Sequence, residues 1–413
     1  QRASDRALSC GNVRRSCGRY PDHTPRQGEK IRMKRRRADL AVILAMAVLA
    51  AVICIINRSD PISYEMYTSE GITYEKGTVT QVLEENLERE QGSERYRGKQ
   101  VLKVRMKTGE LKGQEIEVSN ELSSTHNILS GVGQNLVIKV DAPEGVTPFY
   151  SVFNYDRTAG TAMFLGMFAL FMILVGGMKG LRSMIGLAYA MFLVMAFLLP
   201  AVYHGWPPVA AAVLTSLLIA VSSMVLLNGV SRKTVTAIAA TMAGVIAAAV
   251  VYYIFSSVLH LSGFNLEESE ELILIQNSTG MHVGELLFTG ILIASLGAVM
   301  DMTMSVASSL FEMKHIHPEM TQKEIFRSGM TVGRDMIGTM CQTLVLAFAG
   351  TALASLLVMI SYGTTFNQLL SSDYTALELM HSLTGSMAVI LTVPITSGLS
   401  ALVMESSWKN KNH

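Results

Sequence analysis

The 413-residue chain is too apolar for a typical soluble protein. Half of its residues are hydrophobic and only 16% are charged, where about 25% is usual, and the mean hydropathy is +0.34. The formal net charge of +1 lacks the basic excess that non-specific nucleic-acid binding needs, and no zinc-finger or P-loop spacing occurs. The composition therefore indicates a membrane protein and excludes a nucleic-acid-binding protein or a P-loop ATPase.

The first 32 residues differ from the rest of the chain. Residues 1–32 mix Arg, Ser, Cys, His and Gly without periodicity, and Gln1 is not an initiator. At Met33 a basic run begins and leads into an apolar run, as at the start of a bacterial membrane protein. We therefore expect residues 1–32 to be a non-native or disordered extension.

Eight apolar runs are long enough to cross a bilayer, which takes about 20 residues. They lie near residues 38–56, 159–178, 183–203, 207–227, 234–259, 284–306, 336–360 and 384–404. The first run is long for a signal peptide, and no A-x-A cleavage site follows it, so we expect an uncleaved anchor over 33–57. The other seven runs predict a seven-helix membrane domain over 159–404, followed by a tail over 405–413.

The positions of Lys and Arg predict the orientation of the chain. The connections on one side carry ten basic residues, which are Lys179, Arg182, Arg232, Lys233, Lys314, Lys323, Arg327, Arg334, Lys409 and Lys411. The short connections on the other side, 204–206, 260–283 and 361–383, contain no Lys or Arg, and the last two carry acidic residues. We therefore predict a multi-pass protein of the bacterial inner membrane with both termini in the cytoplasm.

Residues 58–158 are polar and lie outside the membrane in this topology. Runs such as 77–83, 100–106 and 134–140 alternate apolar and polar residues and are separated by Gly-containing turns, which is typical of strands. Short strands and tight turns favour a small barrel of OB type. Because the sequence places no aromatic pair on an obvious strand face, scaffolding or assembly is the favoured role over binding.

The sixth apolar run carries an ionisable side chain, Asp301. Steps of three and four residues place it on one helical stripe with four neighbours, Gly297, Ser305, Ser308 and Glu312. A charged group inside a span is costly and by default suggests a function. Asp301 either pairs with a basic residue and locks two helices together, or serves as a cation or proton site.

A second polar stretch precedes and enters the seventh run. A Thr-x-x-Glu capping box begins at Thr321, and Gly329-x-x-x-Gly333 is expected to be an ordinary loop, with a re-entrant segment as the alternative. One broad face then collects Thr331, Arg334, Asp335, Gly338, Thr339, Gln342 and Thr343. Arg334 either neutralises Asp301 or Asp335 or only follows the charge rule. We predict a polar seam between the sixth and seventh spans.

Other candidate sites carry weaker signals. Asn277, Ser278 and Thr279 offer neutral oxygens at an outer mouth, although a helix-capping turn explains them equally well. His315-x-His317 lacks the further Cys or His ligands that a metal site needs. No protease or hydrolase motif is present. We therefore expect no catalytic residues, no metal and no cofactor.

Two segments resemble the YibE/F family of bacterial multi-span membrane proteins. They are residues 297–309, which surround Asp301, and residues 328–340, which surround Arg334. The resemblance extends to Gly176-Gly177-x-x-Gly180-Leu181 and to the Lys107–Glu110 turn, and so to most of residues 33–404. Where the family has Asn-Thr after Gly-Thr-Met, this chain has Cys341-Gln342-Thr343. The resemblance implies an integral membrane protein that acts as a permease.

The sequence thus predicts an α-helical polytopic membrane protein of about eight helices, with a small all-β, OB-like extracytoplasmic domain between helices one and two. The favoured function is a secondary transporter for an unidentified ion or small solute, which uses the polar seam. The alternative is an envelope scaffold or sensor whose outer domain binds a partner. The lipid bilayer is the expected surrounding, and a second membrane subunit or a homo-oligomer is compatible with either function.

Overall fold

A computed structural model describes residues 25–60, 62, 71–90, 92–143, 145, 147–261, 264 and 269–409. In these ranges seven helices are long and apolar enough to cross a membrane, and a five-stranded β-barrel lies between the first helix and the rest. The predicted fold class is confirmed. Helix α1, Pro25–Ser59, begins upstream of Met33 and includes the end of the predicted extension, whose residues 1–24 lie outside the described ranges.

The barrel has the strand order of an OB-type fold. Its strands are β1 Ile72–Arg89, β2 Tyr96–Met106, β3 Glu115–Leu122, β4 Asn135–Asp141 and β5 Phe149–Tyr155. They close in the order β1-β2-β3-β5-β4. Every pairing is antiparallel except β3 with β5, which meet in parallel at Ser119 and Ser151.

Alternation along the strands separates the barrel core from its surface. In β2, Leu102 and Val104 point inward and are fully buried. Lys103 and Arg105 point outward, where their side chains contact the carboxylate of Glu115 at 3.3 and 2.7 Å. The barrel therefore has an apolar core of its own and a charged exterior.

A buried polar network ties the loop between β3 and β4 to the barrel. The side-chain amide of Asn120 donates to Gln100 Oε1 at 2.9 Å and to the carbonyl of Ile128 at 2.7 Å. Gln100 Oε1 also accepts from the backbone N–H of Ser130 at 3.1 Å. The loop is thus fixed to the barrel because two buried amides satisfy its backbone groups.

Lys76 links the barrel to the first helix of the membrane domain, α2, Thr158–Leu193. Its ammonium contacts Asp156 at 3.2 Å and donates to the hydroxyl of Thr158 at 2.7 Å. The backbone N–H of Thr158 donates to Asp156 at 3.1 Å. The hydrogen bonds from Thr158, together with Lys76, hold the pKa of Asp156 below its usual range.

The helix that follows the barrel is too long for one crossing. α2 continues through a π-helical turn, Val194–Leu198, into α3, Leu199–Tyr203, and the 46 residues Thr158–Tyr203 form one element. At 1.5 Å per residue it would measure about 69 Å, more than twice the roughly 30 Å of a hydrocarbon core. A single straight crossing is therefore incompatible with its length.

A break at Gly177 divides this long element into two arms. Gly177 has φ 55° and ψ −138° inside an otherwise helical segment, a backbone conformation that favours glycine. Three residues later, Gly180 lies against the backbone carbonyl of Met172, which a straight helix would place far away. The chain therefore bends sharply, and the two arms correspond to the predicted second and third spans.

The remaining helices complete the membrane domain. They are α4 Pro208–Asn228, α5 Arg232–Leu259, α6 Ser269–Thr279, α7 Leu286–Ile316, α8 Gln322–Ser361, α9 Phe366–Leu370 and α10 Asp373–Lys409. Ser231 caps α5 by accepting from the backbone N–H of Thr234 at 3.2 Å. The predicted capping box at Thr321 is confirmed, since Thr321 and Glu324 bond reciprocally at the start of α8.

The predicted loop or re-entrant segment around Gly329 is wrong. Gly329 and Gly333 both lie within the continuous helix α8 and are buried. A glycine pair at this spacing lets two membrane helices approach closely. The partner helix is α10, which packs against α5, α7 and α8 and forms the centre of the bundle.

Candidate functional site

Helix α7 carries the predicted stripe on its outward side. The members of the stripe are exposed or half-buried: Gly297, Asp301, Ser305, Ser308 and Glu312. The opposite face is fully buried and includes Val299 and Val306. The stripe therefore runs along the outside of the bundle and not through its core.

Contacts of α5 fix the level of Asp301, that is, its position along the axis of the helix bundle. A Cβ at Gly244 would overlap the side chain of Thr392 in α10 and would lie 3.2 Å from Cγ1 of Val299 in α7. These two residues are therefore level with each other in the bundle. Asp301, half a turn beyond Val299, lies near the level of Thr392, which is well inside the predicted span 384–404.

Contacts between α8 and α10 fix the level of Arg334 and Asp335. A Cβ at Gly333 would overlap the side chain of Val393, and one at Gly329 would lie 2.8 Å from Cβ of Ser397. The two helices are therefore antiparallel, with Gly333 opposite Val393. The residues that follow Gly333 lie at the level of Thr392 and hence of Asp301.

The packing of α8 against α10 gives Arg334 and Asp335 a deeper position than the predicted start of the seventh span at residue 336 does. The hydropathy of α8 put Arg334 and Asp335 at the rim of the membrane, whereas the packing against α10 puts them beside the predicted span 384–404. An acid on α7 and an adjacent base and acid on α8 thus share one level. Charged groups at this depth require protein or water around them.

The structure does not join these three side chains. Within the described ranges, the contacts include no ion pair or side-chain hydrogen bond of Asp301, Arg334 or Asp335, and all three are exposed. The predicted neutralisation of Asp301 or Asp335 by Arg334 is not found in this part of the chain. α7 and α8 touch, but a single chain does not enclose a polar seam between them.

A cavity continues the α7 stripe at the end of the bundle. It has a volume of about 670 Å³ and lies where α5 begins and where α7 and α10 end. Arg232, Lys233 and Lys314 line it together with Ser308 and Glu312. Lys233 donates to the hydroxyl of Ser308 at 3.2 Å. The lower part of the predicted stripe therefore opens into a chamber with more basic than acidic groups.

The other predicted residues of α8 also face outward. The hydroxyls of Thr331, Thr339 and Thr343 donate to backbone carbonyls of the preceding turn at 3.1, 3.0 and 2.8 Å. Gln342 and Gly338 are exposed beside them. The hydroxyl lone pairs and the Gln342 amide therefore remain accessible from outside the bundle.

The proposed outer mouth is part of a helix. Asn277 and Thr279 lie in the last turn of α6, and the hydroxyl of Thr279 donates to the carbonyl of Ile275 at 2.8 Å. Gly280 then ends the helix with a φ of 73°. These contacts agree with a helix end more than with a mouth, while the side chain of Ser278 lies outside the described part of the structure.

A layer of buried hydroxyls was missed in the sequence. Thr241 of α5 and Thr303 of α7 share a hydrogen bond of 2.9 Å in the core, and α10 buries Thr392, Thr396 and Ser400. Their regular spacing of four residues was the available signal. Since Thr392 and Thr396 donate to the carbonyl one turn earlier at 2.7 Å, they serve as small packing residues.

The barrel presents an aromatic pair that the sequence did not reveal. Tyr74 of β1 and Phe153 of β5 meet edge to face, with 4.7 Å between ring centroids, and are 53% and 49% exposed. The expectation that no strand face carries an aromatic pair is therefore wrong. The two strands are far apart in sequence and become close through β4, which pairs with both.

Comparison with known proteins finds a family match over the membrane domain. The YibE/F-like protein family matches residues 164–406, from the first arm of α2 to the last turns of α10. The barrel, with its Lys107–Glu110 turn, lies outside this match. No curated protein and no solved structure matched the chain. Because the match covers more than half of the 413 residues and includes α5, α7, α8 and α10, this chain belongs to the YibE/F-like family.

Proposed function

We propose that the protein is a permease that moves an ion or a small solute across the membrane along the exposed stripe of α7. The observation that carries this proposal is the position of Asp301, a carboxyl group at span depth that has no ion pair among the described residues. Such groups are costly in a bilayer and are typical of ion and substrate pathways. A purely structural acid would instead be paired with a base.

The stripe supplies a polar route from Asp301 to one end of the bundle. Below Asp301, the hydroxyls of Ser305 and Ser308 follow at one-turn spacing, and Glu312 reaches the 670 Å³ cavity. We infer that Asp301 changes its charge or its ligand during the cycle, with a proton or sodium ion as the driving ion. The hydroxyls offer neutral oxygens between the two carboxyl groups.

The orientation follows from the basic residues of the connections. Arg232, Lys233 and Lys314 line the cavity, and positive charges favour the cytoplasmic side of a bacterial inner membrane. We therefore assign the cavity and both termini to the cytoplasm and the barrel to the outer side. In this orientation the cavity is the cytoplasmic end of the route.

The test begins with ligand binding. Detergent-purified full-length protein and its Asp301→Asn variant are screened by thermal unfolding against ions, pH and small metabolites. A ligand at 100 times its Kd should stabilise the wild type by about 2.7 kcal/mol and leave Asp301→Asn unchanged. The matched control is Glu110→Gln, which removes a carboxylate from an exposed barrel turn and should respond as the wild type does.

Flux of the identified ligand into proteoliposomes then decides the function. Asp301→Asn should fold and lose most of the flux, whereas Glu110→Gln should retain it. An Asp301→Asn variant with wild-type flux would contradict the proposal. A variant that only melts at a lower temperature, with no stabilising ligand for either protein, would make Asp301 a structural residue.

The exposed aromatic pair favours a second candidate function, an envelope scaffold or sensor. Tyr74 and Phe153 form the kind of exposed aromatic surface that protein interfaces use. The double variant Tyr74→Ala, Phe153→Ala in the same liposomes separates the two functions. A transporter should keep its flux in this variant, whereas a scaffold should show no flux at all and lose its partner when the pair is removed.

A further inference from the structure

Helix α8 exposes polar residues in its first half and apolar residues in its second half. Only 6% of the residues in its most apolar stretch are buried, and α1 is similarly open at 11%. In that stretch α8 exposes apolar side chains such as Leu346 and Leu353. The exposed residues of α1 are apolar, as at Leu44 and Val48. Lipid therefore suits α1 and the apolar stretch of α8, and the polar residues earlier in α8 differ from both.

The exposed side of α8 is polar over three turns. We call this surface the α8 polar face, and its members are Thr331, Arg334, Asp335, Gly338, Thr339 and Gln342. The opposite side of the helix packs against α10 and α7. Among the described residues, no side chain bonds to Arg334 or Asp335, so this part of the chain leaves their charges unmatched.

Lipid cannot cover this face at low cost. Arg and Asp at the centre of a membrane helix are among the costliest side chains to insert into a bilayer. The pairing of Gly333 with Val393 places both charges beside an apolar part of α10 and not beyond its end. Something polar must therefore lie against the face in the membrane.

We propose that the α8 polar face packs against the same face of a second copy of this chain. This proposal rests on the proposed permease function, because the second copy supplies the missing wall opposite the exposed polar residues. In a two-fold contact the same patch meets itself, so Arg334 faces Asp335 of the partner subunit. Adjacent opposite charges make this patch complementary to itself, which is the reason for choosing a second copy as the occupant.

The rest of the face has the features of a membrane helix contact. Gly338 is exposed, and no heavy atom of the described residues lies within 4 Å of where its side chain would begin, so two helices can approach closely there. Thr339 and Gln342 lie one turn deeper along the face and offer a hydroxyl and an amide, groups that hydrogen-bond across membrane helices. Two copies thus satisfy both the charges and the neutral polar groups.

A charge exchange tests the pairing. Full-length protein is purified in mild detergent, and its mass is measured by light scattering with a correction for bound detergent. Arg334→Asp and Asp335→Arg should each shift the dimer toward the monomer because like charges then meet. The double variant Arg334→Asp, Asp335→Arg should restore the dimer. Lys112→Glu, on an exposed barrel turn, should leave the mass unchanged.

Cross-linking keeps the test informative if the charge variants fail to fold. In a background with the native cysteines replaced by serine, Gly338→Cys and Gln342→Cys should each give a disulfide-linked dimer when membranes are oxidised. Val48→Cys, which is 57% exposed on α1, is the matched control and should stay monomeric. If both α8 variants stay monomeric, or if they cross-link to a different protein, the proposal that a second copy covers this face is wrong.

These measurements separate failure of the interface from failure of the proposed function. Mass and cross-links are read without any transported solute. A dimer whose Asp301→Asn variant keeps normal flux would leave the interface standing and remove the α7 pathway. A monomer that still transports would do the reverse.

Discussion

Gly333 determines how closely α8 approaches α10. A Cβ at this position would overlap the side chain of Val393, and overpacking of this kind costs about 1–3 kcal/mol. The gain in helix propensity from Gly to Ala offsets at most about 1 kcal/mol. We therefore expect Gly333→Ala to lower the thermal unfolding temperature of the detergent-purified protein.

Two further variants show whether the loss comes from the α10 contact. Gly350→Ala lies on the same helix where no heavy atom is within 4 Å, so it should be neutral or slightly stabilising. Val393→Ala added to Gly333→Ala should recover part of the lost stability by removing the overlapping methyl groups. Equal stability of Gly333→Ala and the wild type would contradict the register that places Arg334 at the level of Asp301.

At the scale of elements, the break at Gly177 decides the topology. If the two arms of α2 cross the membrane separately, Arg157 and His204 lie on one side and Met178 lies on the other. Single cysteines at these exposed positions, in the cysteine-free background, are treated with a membrane-impermeant maleimide. In the proposed orientation, intact cells should label Arg157→Cys and His204→Cys, and only permeabilised cells should label Met178→Cys.

The same labelling distinguishes eight crossings from seven. With eight crossings, the first residues of α1 and the last residues of α10 lie on the same side of the membrane. With seven crossings, they lie on opposite sides. Labelling of Met178→Cys in intact cells would mean that the bend at Gly177 does not carry the chain back through the bilayer. The membrane unit would then begin with a single crossing between Arg157 and His204.

Local patterns predicted the elements well, and packing between elements accounts for the errors. Alternation in β2 and the three-and-four spacing around Asp301 depend on residues a few positions apart. The level of Arg334 depends instead on Val393, which is distant in sequence, and a hydropathy window cannot include it. The Tyr74–Phe153 pair also requires strand registers, so neither feature was accessible without the fold.

At the scale of the whole molecule, the two parts have separate hydrophobic cores. The barrel core includes Leu102 and Ile138, and the helical core includes Phe288 and Val389. Because a domain with its own core can fold alone, we expect a fragment of residues 71–157 to be soluble. Circular dichroism should show β structure and a cooperative thermal transition.

Core and surface variants of this fragment test whether the barrel core provides its stability. Ile138→Ala removes a fully buried side chain and should cost about 2–5 kcal/mol, whereas Val132→Ala changes a side chain that is 67% exposed and should cost little. An unfolded wild-type fragment would show that the barrel depends on the helices. A folded fragment would mean that the barrel does not need the helices, so that partner binding by Tyr74 and Phe153 can be measured on the fragment apart from transport by the full chain.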